Sequence, residues 1–443
     1  MPRIIHSLVL LIFFLRALPA QDAAAITLEE AVRIAMDRHQ DVGKALANAD
    51  ALRGRIREVR AMAMPEVNIV SNAQRYRDPS FLNAAGLDKF PPELLQALTP
   101  FAVNLFDYSI TVKQPLYTQG KIGTALKIAK VEAEGTATEV ERARQDVAIA
   151  TVKAFYGLLW SEHNRNLIAE TQRQKQLHAE MARTRFRNGV ATKVDVMRSE
   201  VAVANGAPDL LRAESLIRQS RAQMNFFLGR PLDFATKLAG GFQEEVWRQQ
   251  SLAEIETEAL ERRPEIQRLR LAERSAAVQL ELAKAESRMR LDLASSYGIA
   301  ARLPENLVNG KFVRWNTALN FTFPVFDGFK RDGLVWQASA AMRAARLERE
   351  KSEQQVRLAI QQGMDELHAA WETVAAARAN VQEAETVLSM TQKNYEAGAA
   401  TTLDVTDAQT AVSVARTNLL RGLYDYSVAR ANLRWAAGRT PWE

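Results

Sequence analysis

Two stretches decide how this chain folds: FRNGVATKVDV at residues 186–196 and YEAGAATTLDV at residues 395–405. Each lies between two long runs whose apolar residues recur at helical spacing. Gly189 and Gly398 suit the left-handed position that ends a helix. Thr192 and Thr401 suit the N-cap of a returning helix, and Asp195 and Asp404 follow three residues on as the acidic member of a capping-box variant. These acids also sit favourably at a helix N-terminus. Each stretch therefore reads as the tip of a helical hairpin, on local chemistry alone.

The shift that lays one tip on the other carries far beyond them. Without a gap it aligns residues 115–230 with residues 324–439. Ala202-Val203 falls on Ala411-Val412, Leu210-Leu211-Arg212 on Leu419-Leu420-Arg421, and Gly229-Arg230 on Gly438-Arg439. Upstream the shift lengthens, so that Ala35, Arg38, Asp41 and Val42 meet Ala259, Arg262, Glu265 and Ile266; the longer loop from Arg77 to Leu105 in the first half absorbs the difference. The sequence thus divides into a first repeat at 26–230, a connector at 231–251, a second repeat at 252–439 and a short end at 440–443. Two copies are too few for a solenoid, which needs at least three.

Both halves share one order: a helix, a strand, a loop, a second strand, a very long helix, the tip, and another long helix. The opening helices are expected at about Leu28–Met64 and Leu252–Met289, the second breaking near Pro264. Four runs alternate with period two. Val67 and Ile69 oppose Asn68, Asn72 and Gln74; Phe106, Tyr108, Ile110 and Val112 oppose Asp107, Ser109, Thr111 and Lys113. Leu291, Leu293, Tyr297 and Ile299 oppose Asp292, Ser296 and Gly298; Trp315, Leu319, Phe321 and Phe323 oppose Arg314, Asn316, Asn320 and Thr322. Each run is about the 9–11 residues of a tilted membrane strand.

From about Gln119 to Arg187 there is no proline, which at 1.5 Å per residue gives a helix of about 100 Å. Its seam of Leu126, Ala129, Ala133, Thr136, Val140, Ala143, Val147, Ala150, Ala154 and Gly157 is mostly alanine, so neighbouring helices can approach closely. Gly135, Gly157 and Gly363 each cost a helix about 1 kcal/mol relative to Ala, and close packing is the expected reason for them. Pro208 is expected to interrupt the first returning helix and kink it.

The N-terminus, MPRIIHSLVLLIFFLRALPA at residues 1–20, has a basic start, an apolar run and small residues after it, so 1–25 reads as a signal peptide. No later stretch approaches the ~18 apolar residues of a spanning helix. Of 443 residues 47% are hydrophobic, which excludes wholesale disorder, and the absence of cysteine excludes disulfide frameworks and thiolate metal sites. The net charge of +6 is spread among acids rather than clustered, so no nucleic-acid footprint is present. An exported chain with four half-apolar strands cannot leave an open sheet edge in lipid. Four strands do not close a barrel; two chains would supply eight and three chains twelve.

At this point the residues carry a resemblance. The two tips, the strand-to-helix corners Gln114-Pro115-Leu116-Tyr117 and Phe323-Pro324-Val325-Phe326-Asp327-Gly328, and the terminal Leu228-Gly229 and Ala437-Gly438 resemble those of TolC-type outer-membrane efflux proteins, in order along the whole mature chain. The resemblance implies a mixed α+β membrane protein: a homotrimer whose 12-stranded β-barrel continues into a long α-helical periplasmic tunnel. It implies an outer-membrane location and contact with outer-membrane lipid. It also implies partnership with a periplasmic adaptor protein and an inner-membrane pump. The tips would form the entrance, with Asp195 and Tyr395 in the closing network and Asp404 and Asp407 as carboxylate rings that favour cations. Gly189, Thr192, Gly398 and Thr401 would dock the adaptor. The arginine that the family carries in the second tip falls here on Ala400, so the entrance must be closed more weakly or by other links.

No histidine among His6, His39, His163, His178 and His368 has metal-ligand spacing, and no phosphate loop or nucleophile constellation is present, so neither a cofactor nor an enzyme activity is expected. A type I protein-secretion duct shares the same fold and differs in cargo. A periplasmic structural coiled coil is the alternative of another class, and it has no use for four half-apolar strands.

Overall fold

The computed structural model describes residues 25–77, 91, 93, 102–242, 251–286 and 288–442. The expected signal peptide apart from Ala25, most of the loop from Arg77 to Leu105, and residues 243–250 of the connector lie outside them. In chain order the elements are α1 (Leu28–Arg38), α2 (Gln40–Ala61), β1 (Glu66–Tyr76), β2 (Val103–Tyr117), α3 (Lys121–Arg187), α4 (Lys193–Phe227), α5 (Leu252–Arg262), α6 (Pro264–Lys284), β3 (Arg290–Ala301), β4 (Val313–Thr322), α7 (Lys330–Glu396) and α8 (Thr402–Ala436). The two long helices α3 and α7 have 67 residues each, and the returning helices α4 and α8 have 35 each.

The chain forms two compact units, each drawing on both halves of the sequence. One comprises Ala45–Glu141 and Pro264–Gln355. Its centre is a four-stranded antiparallel sheet in the order β1-β2-β3-β4, so β1 and β4 are its edges. The register puts Ile69, Ile110, Tyr297 and Trp315 directly opposite one another across all four strands. The next row is Asn68, Thr111, Ser296 and Asn316. Directly paired residues share a face, so the sheet has an apolar side and a polar side, as the alternation requires. Among the described residues nothing covers the apolar row: Ile69 is 80% exposed and Trp315 74%. β2 and β3 outrun the expected strand length, at 15 and 12 residues, because their backbone ladder continues past a bulge at Pro115–Tyr117.

The other unit comprises Met1–Lys44, Arg142–Arg263 and Val356–Glu443. Its main core gathers Val32, Val152, Phe155, Leu158, Met224 and Leu228, and a second cluster joins Leu367, Val374, Tyr426 and Ala429. Of the α3 seam, Ala129, Val140, Val147 and Ala154 are buried and none of its ten members is exposed. Gly363 meets Leu433, whose Cδ1 lies 3.4 Å from where a Cβ would sit, but Gly135 and Gly157 have no described atom within 4 Å of that point. Close packing within the chain therefore accounts for one of the three helix glycines.

Two further expectations are corrected. The first opening helix is not continuous: His39 takes an extended ψ of 136° and separates α1 from α2, just as Arg263 separates α5 from α6. His39 is held there by tertiary packing, its ring 5.3 Å from Phe226 and 5.6 Å from Phe227. Pro208 does not interrupt α4, which runs through it. A proline cannot donate to the preceding turn and crowds it, freeing carbonyls there. The carbonyl that Pro208 leaves without a donor is that of Ala204; next to it, the Val203 carbonyl accepts from Gln172 Nε2 of α3 at 2.8 Å, and Gly206 leaves the room that the Gln172 side chain occupies.

Candidate functional site

Both tips are built by the local chemistry that their sequences encode. Gly189 and Gly398 have φ of 77° and 78°. At the first, Gly189 N–H donates to the Phe186 carbonyl at 3.0 Å and Val190 N–H to Arg185 at 2.9 Å. At the second, Gly398 donates to Tyr395 at 3.1 Å and Ala399 to Asn394 at 2.8 Å. This pair of bonds, closing a helix around a left-handed residue, satisfies carbonyls that the last turn leaves free.

The returning helices begin with full capping boxes. Asp195 N–H donates to Thr192 Oγ1 at 3.2 Å, and Thr192 N–H returns a bond to Asp195 Oδ2 at 3.0 Å. Asp404 N–H and Thr401 Oγ1 repeat the first bond at 3.2 Å, and Thr401 N–H reaches Asp404 Oδ2 at 2.7 Å. The Thr192 hydroxyl and backbone N–H hold the Asp195 carboxyl below the ordinary carboxylate range, with smaller help from Arg198 and the Thr402 side chain. The Thr401 N–H and hydroxyl do the same for Asp404. Both acids stay ionised where capping needs acceptors.

Tyr395 is buried, at 6% exposure, as are Thr402 and Val405 of the same tip. The Arg185 guanidinium lies 4.5 Å from its ring centre and donates from Nη1 to the Tyr395 carbonyl at 2.8 Å. The His178 ring stands 5.4 Å away, tilted by 54°. The Tyr395 and Thr402 hydroxyl oxygens are 3.3 Å apart. The end of α3 is thereby tied to the end of α7 and the start of α8 in one network around Tyr395, while the hydrogen bonds of the Asp195 carboxylate are those to Thr192 in its own capping box. Asp404 is exposed in its capping box and Asp407 is exposed further along α8.

Three members of this network escaped the sequence reading: Arg185, His178 and Thr402. Arg185 carried one signal, a cation in the last turn of a helix whose counterpart tip lacks one at Ala400. A guanidinium does reach Tyr395, but from the opposite hairpin. Among the described residues no group of three or more His, Asp or Glu is arranged to hold a metal, and no helix is long and apolar enough to cross a membrane.

A family model described as "Outer membrane efflux protein" matches residues 31–230 and 256–439. The chain belongs to the outer membrane efflux protein family. As a member it is an outer-membrane protein of the TolC type. Nodulation protein T of Rhizobium leguminosarum bv. trifolii is 24% identical over 263 residues, covering 58% of this chain and 56% of that relative. The alkaline protease secretion protein AprF of Pseudomonas aeruginosa is 21% identical over 296 residues, covering 66% of this chain and 62% of that relative. These matches therefore span less than two thirds of either relative. The CmeC outer membrane channel of Campylobacter jejuni has the same fold, with a TM-score of 0.79 at 15% identity over 93% of this chain and 85% of the channel.

Proposed function

We propose that this efflux-family protein is the outer-membrane exit duct of a tripartite export system, passively conducting substrates that an inner-membrane pump and a periplasmic adaptor deliver. The observation that carries the reading is the sheet: its two edges are unpaired and its apolar row is uncovered, and both conditions call for further copies and for lipid. Three chains, joined β4 to β1, would close twelve strands into a barrel. The two sequence repeats, 26–230 and 252–439 joined by the 231–251 connector, would each contribute two strands and one hairpin. The tips would meet at the periplasmic end as the entrance. There Asp195 and Tyr395 act in closure, Asp404 and Asp407 set a preference for cations, and Gly189, Thr192, Gly398 and Thr401 shape the surface that the adaptor meets.

The test is single-channel conductance of the purified protein in a planar bilayer, with its mass in detergent determined alongside. Discrete cation-selective openings from a three-chain particle are expected. A monomer without conductance refutes the duct. A second reading, protein export through the same duct, is favoured by one observation: the relative AprF is named for alkaline protease secretion. Loss of a secreted protein on deletion of the gene, with small-molecule accumulation unchanged, would decide for it.

A further inference from the structure

His178 is 3% exposed, and neither of its ring nitrogens has a hydrogen-bond partner among the described residues. A buried polar group left in this state calls for an explanation, since an unmade bond is costly. Its surroundings sharpen the question. The imidazole packs against the Tyr395 ring, and that same ring carries the Arg185 guanidinium. Beside them a groove of about 730 Å³ opens, bordered by His178, Arg185, Tyr395 and Gln409. The charged groups on this groove are Glu180 and Arg185 from α3 and Glu396 from α7, while α8 contributes Val405 and Gln409, which do not titrate.

A neutral imidazole fits this site as a flat, weakly polar filler. An imidazolium does not, because both its N–H groups would be unpaired donors in a dry contact, next to a guanidinium already committed to Tyr395. We propose that His178 makes the joint between the two tips acid-sensitive: on taking up a proton the imidazole leaves the Tyr395 ring for the adjoining groove, and the Arg185–Tyr395–Thr402 tie loosens. Burial already holds the imidazole below its ordinary 6.5, towards the neutral form. The sign follows. A base favoured as neutral in the closed joint stabilises it fully above its ordinary range, and that stability falls as pH drops below it. The consequence for conduction rests on the reading of the tips as an entrance; the loosening itself does not.

The experiment is hydrogen exchange on the full-length protein in lipid nanodiscs at pH 7.5, 6.5 and 5.5, corrected for intrinsic exchange. It follows peptides over 174–185 and 392–409, with conductance recorded at the same pH values. Opening of these peptides should rise about fivefold between pH 6.5 and 5.5, the gain when one imidazole of ordinary affinity takes up its proton only in the loosened state. His178→Gln should abolish that rise; if it fails to assemble, His178→Met, which fills the space without a titrating nitrogen, makes the same comparison. A flat wild-type profile, or an equally steep one in the variant, overturns the proposal. Loosening that disappears in the variant, with conductance indifferent to pH throughout, would support the acid-sensitive joint and overturn the entrance reading.

Discussion

Gly298→Ala tests the sheet more severely than any change of polarity would. Gly298 lies in β3 opposite Ser109, and a Cβ built on it falls 2.1 Å from the Tyr108 carbonyl oxygen and 2.5 Å from Ser109 Cα. Both are backbone atoms, so no side-chain rotation relieves the clash. Carbon contacts settle at about 3.5–4.0 Å, so β2 and β3 must part locally by about 1 Å or more. Ladder bonds near 2.9 Å do not survive such a displacement. Overpacking alone costs about 1–3 kcal/mol, and bonds lost in hydrocarbon, where no water replaces them, add several more. Gly398→Ala is the matched control. Nothing lies within 4 Å of its Cβ position, so its cost is that of the left-handed backbone, about 1–2 kcal/mol. The assay is the fraction of chains recovered from outer membranes as an SDS-resistant oligomer. Gly298→Ala should abolish it and Gly398→Ala leave most of it. Wild-type recovery for Gly298→Ala would refute the close β2–β3 approach and the strand register built on it.

Other outcomes follow from the tips and the sheet. Thr192→Ala removes an N-cap acceptor worth about 1 kcal/mol and should raise hydrogen exchange over the first turn of α4 severalfold, with α8 unchanged as the internal control. Ile110→Arg or Leu319→Arg on the apolar side of the sheet should cost about 2–4 kcal/mol near the bilayer midplane and deplete the assembled protein; normal assembly of both would contradict a lipid-facing row. The depressed Asp195 carboxyl contributes stability that is complete above its ordinary value of 3.8 and is lost as pH falls through its lower value in the folded tip. Protease cleavage at residues 188–192 should therefore accelerate below pH 3.8 in the wild type, and Asp195→Asn should lose that acid step. Asp404→Asn with Asp407→Asn should lower cation selectivity, read from reversal potentials in a salt gradient; unchanged potentials would remove their ring role.

The tips were legible because the backbone and capping bonds that make them span at most six residues. Gly, Thr and Asp at fixed spacing specify the turn, the cap and its reciprocal bond without help from the rest of the chain. The strands were legible because one face is apolar throughout, but their ends were not. A ladder between β2 and β3 continues through Gln114 and Pro115, where side-chain pattern has stopped carrying information. The break at His39 was missed for a related reason. Pro264 announces its counterpart at Arg263, whereas His39 is fixed by Phe226 and Phe227 from a distant part of the sequence. Arg185, His178 and Thr402 belong to the same class: their roles lie in contacts between elements. The bond that Gln172 of another helix makes to the Val203 carbonyl, just before Pro208, likewise could not be read from α4 alone.

The unpaired edges of the sheet also bear on how this protein must be made. β1 is exposed at every residue and β4 at all but two, so a chain that completes its sheet before meeting its neighbours carries two sticky margins and an apolar face through an aqueous compartment. Such a chain is prone to pair with any strand it encounters. If the sheet closes with further copies, as proposed, biogenesis must keep the strands unpaired or shielded until those copies arrive, and coupling oligomerisation to insertion is the simplest way to do so. Expression that outruns delivery to the membrane would then convert the edges that would seal such a wall into a seed for aggregation.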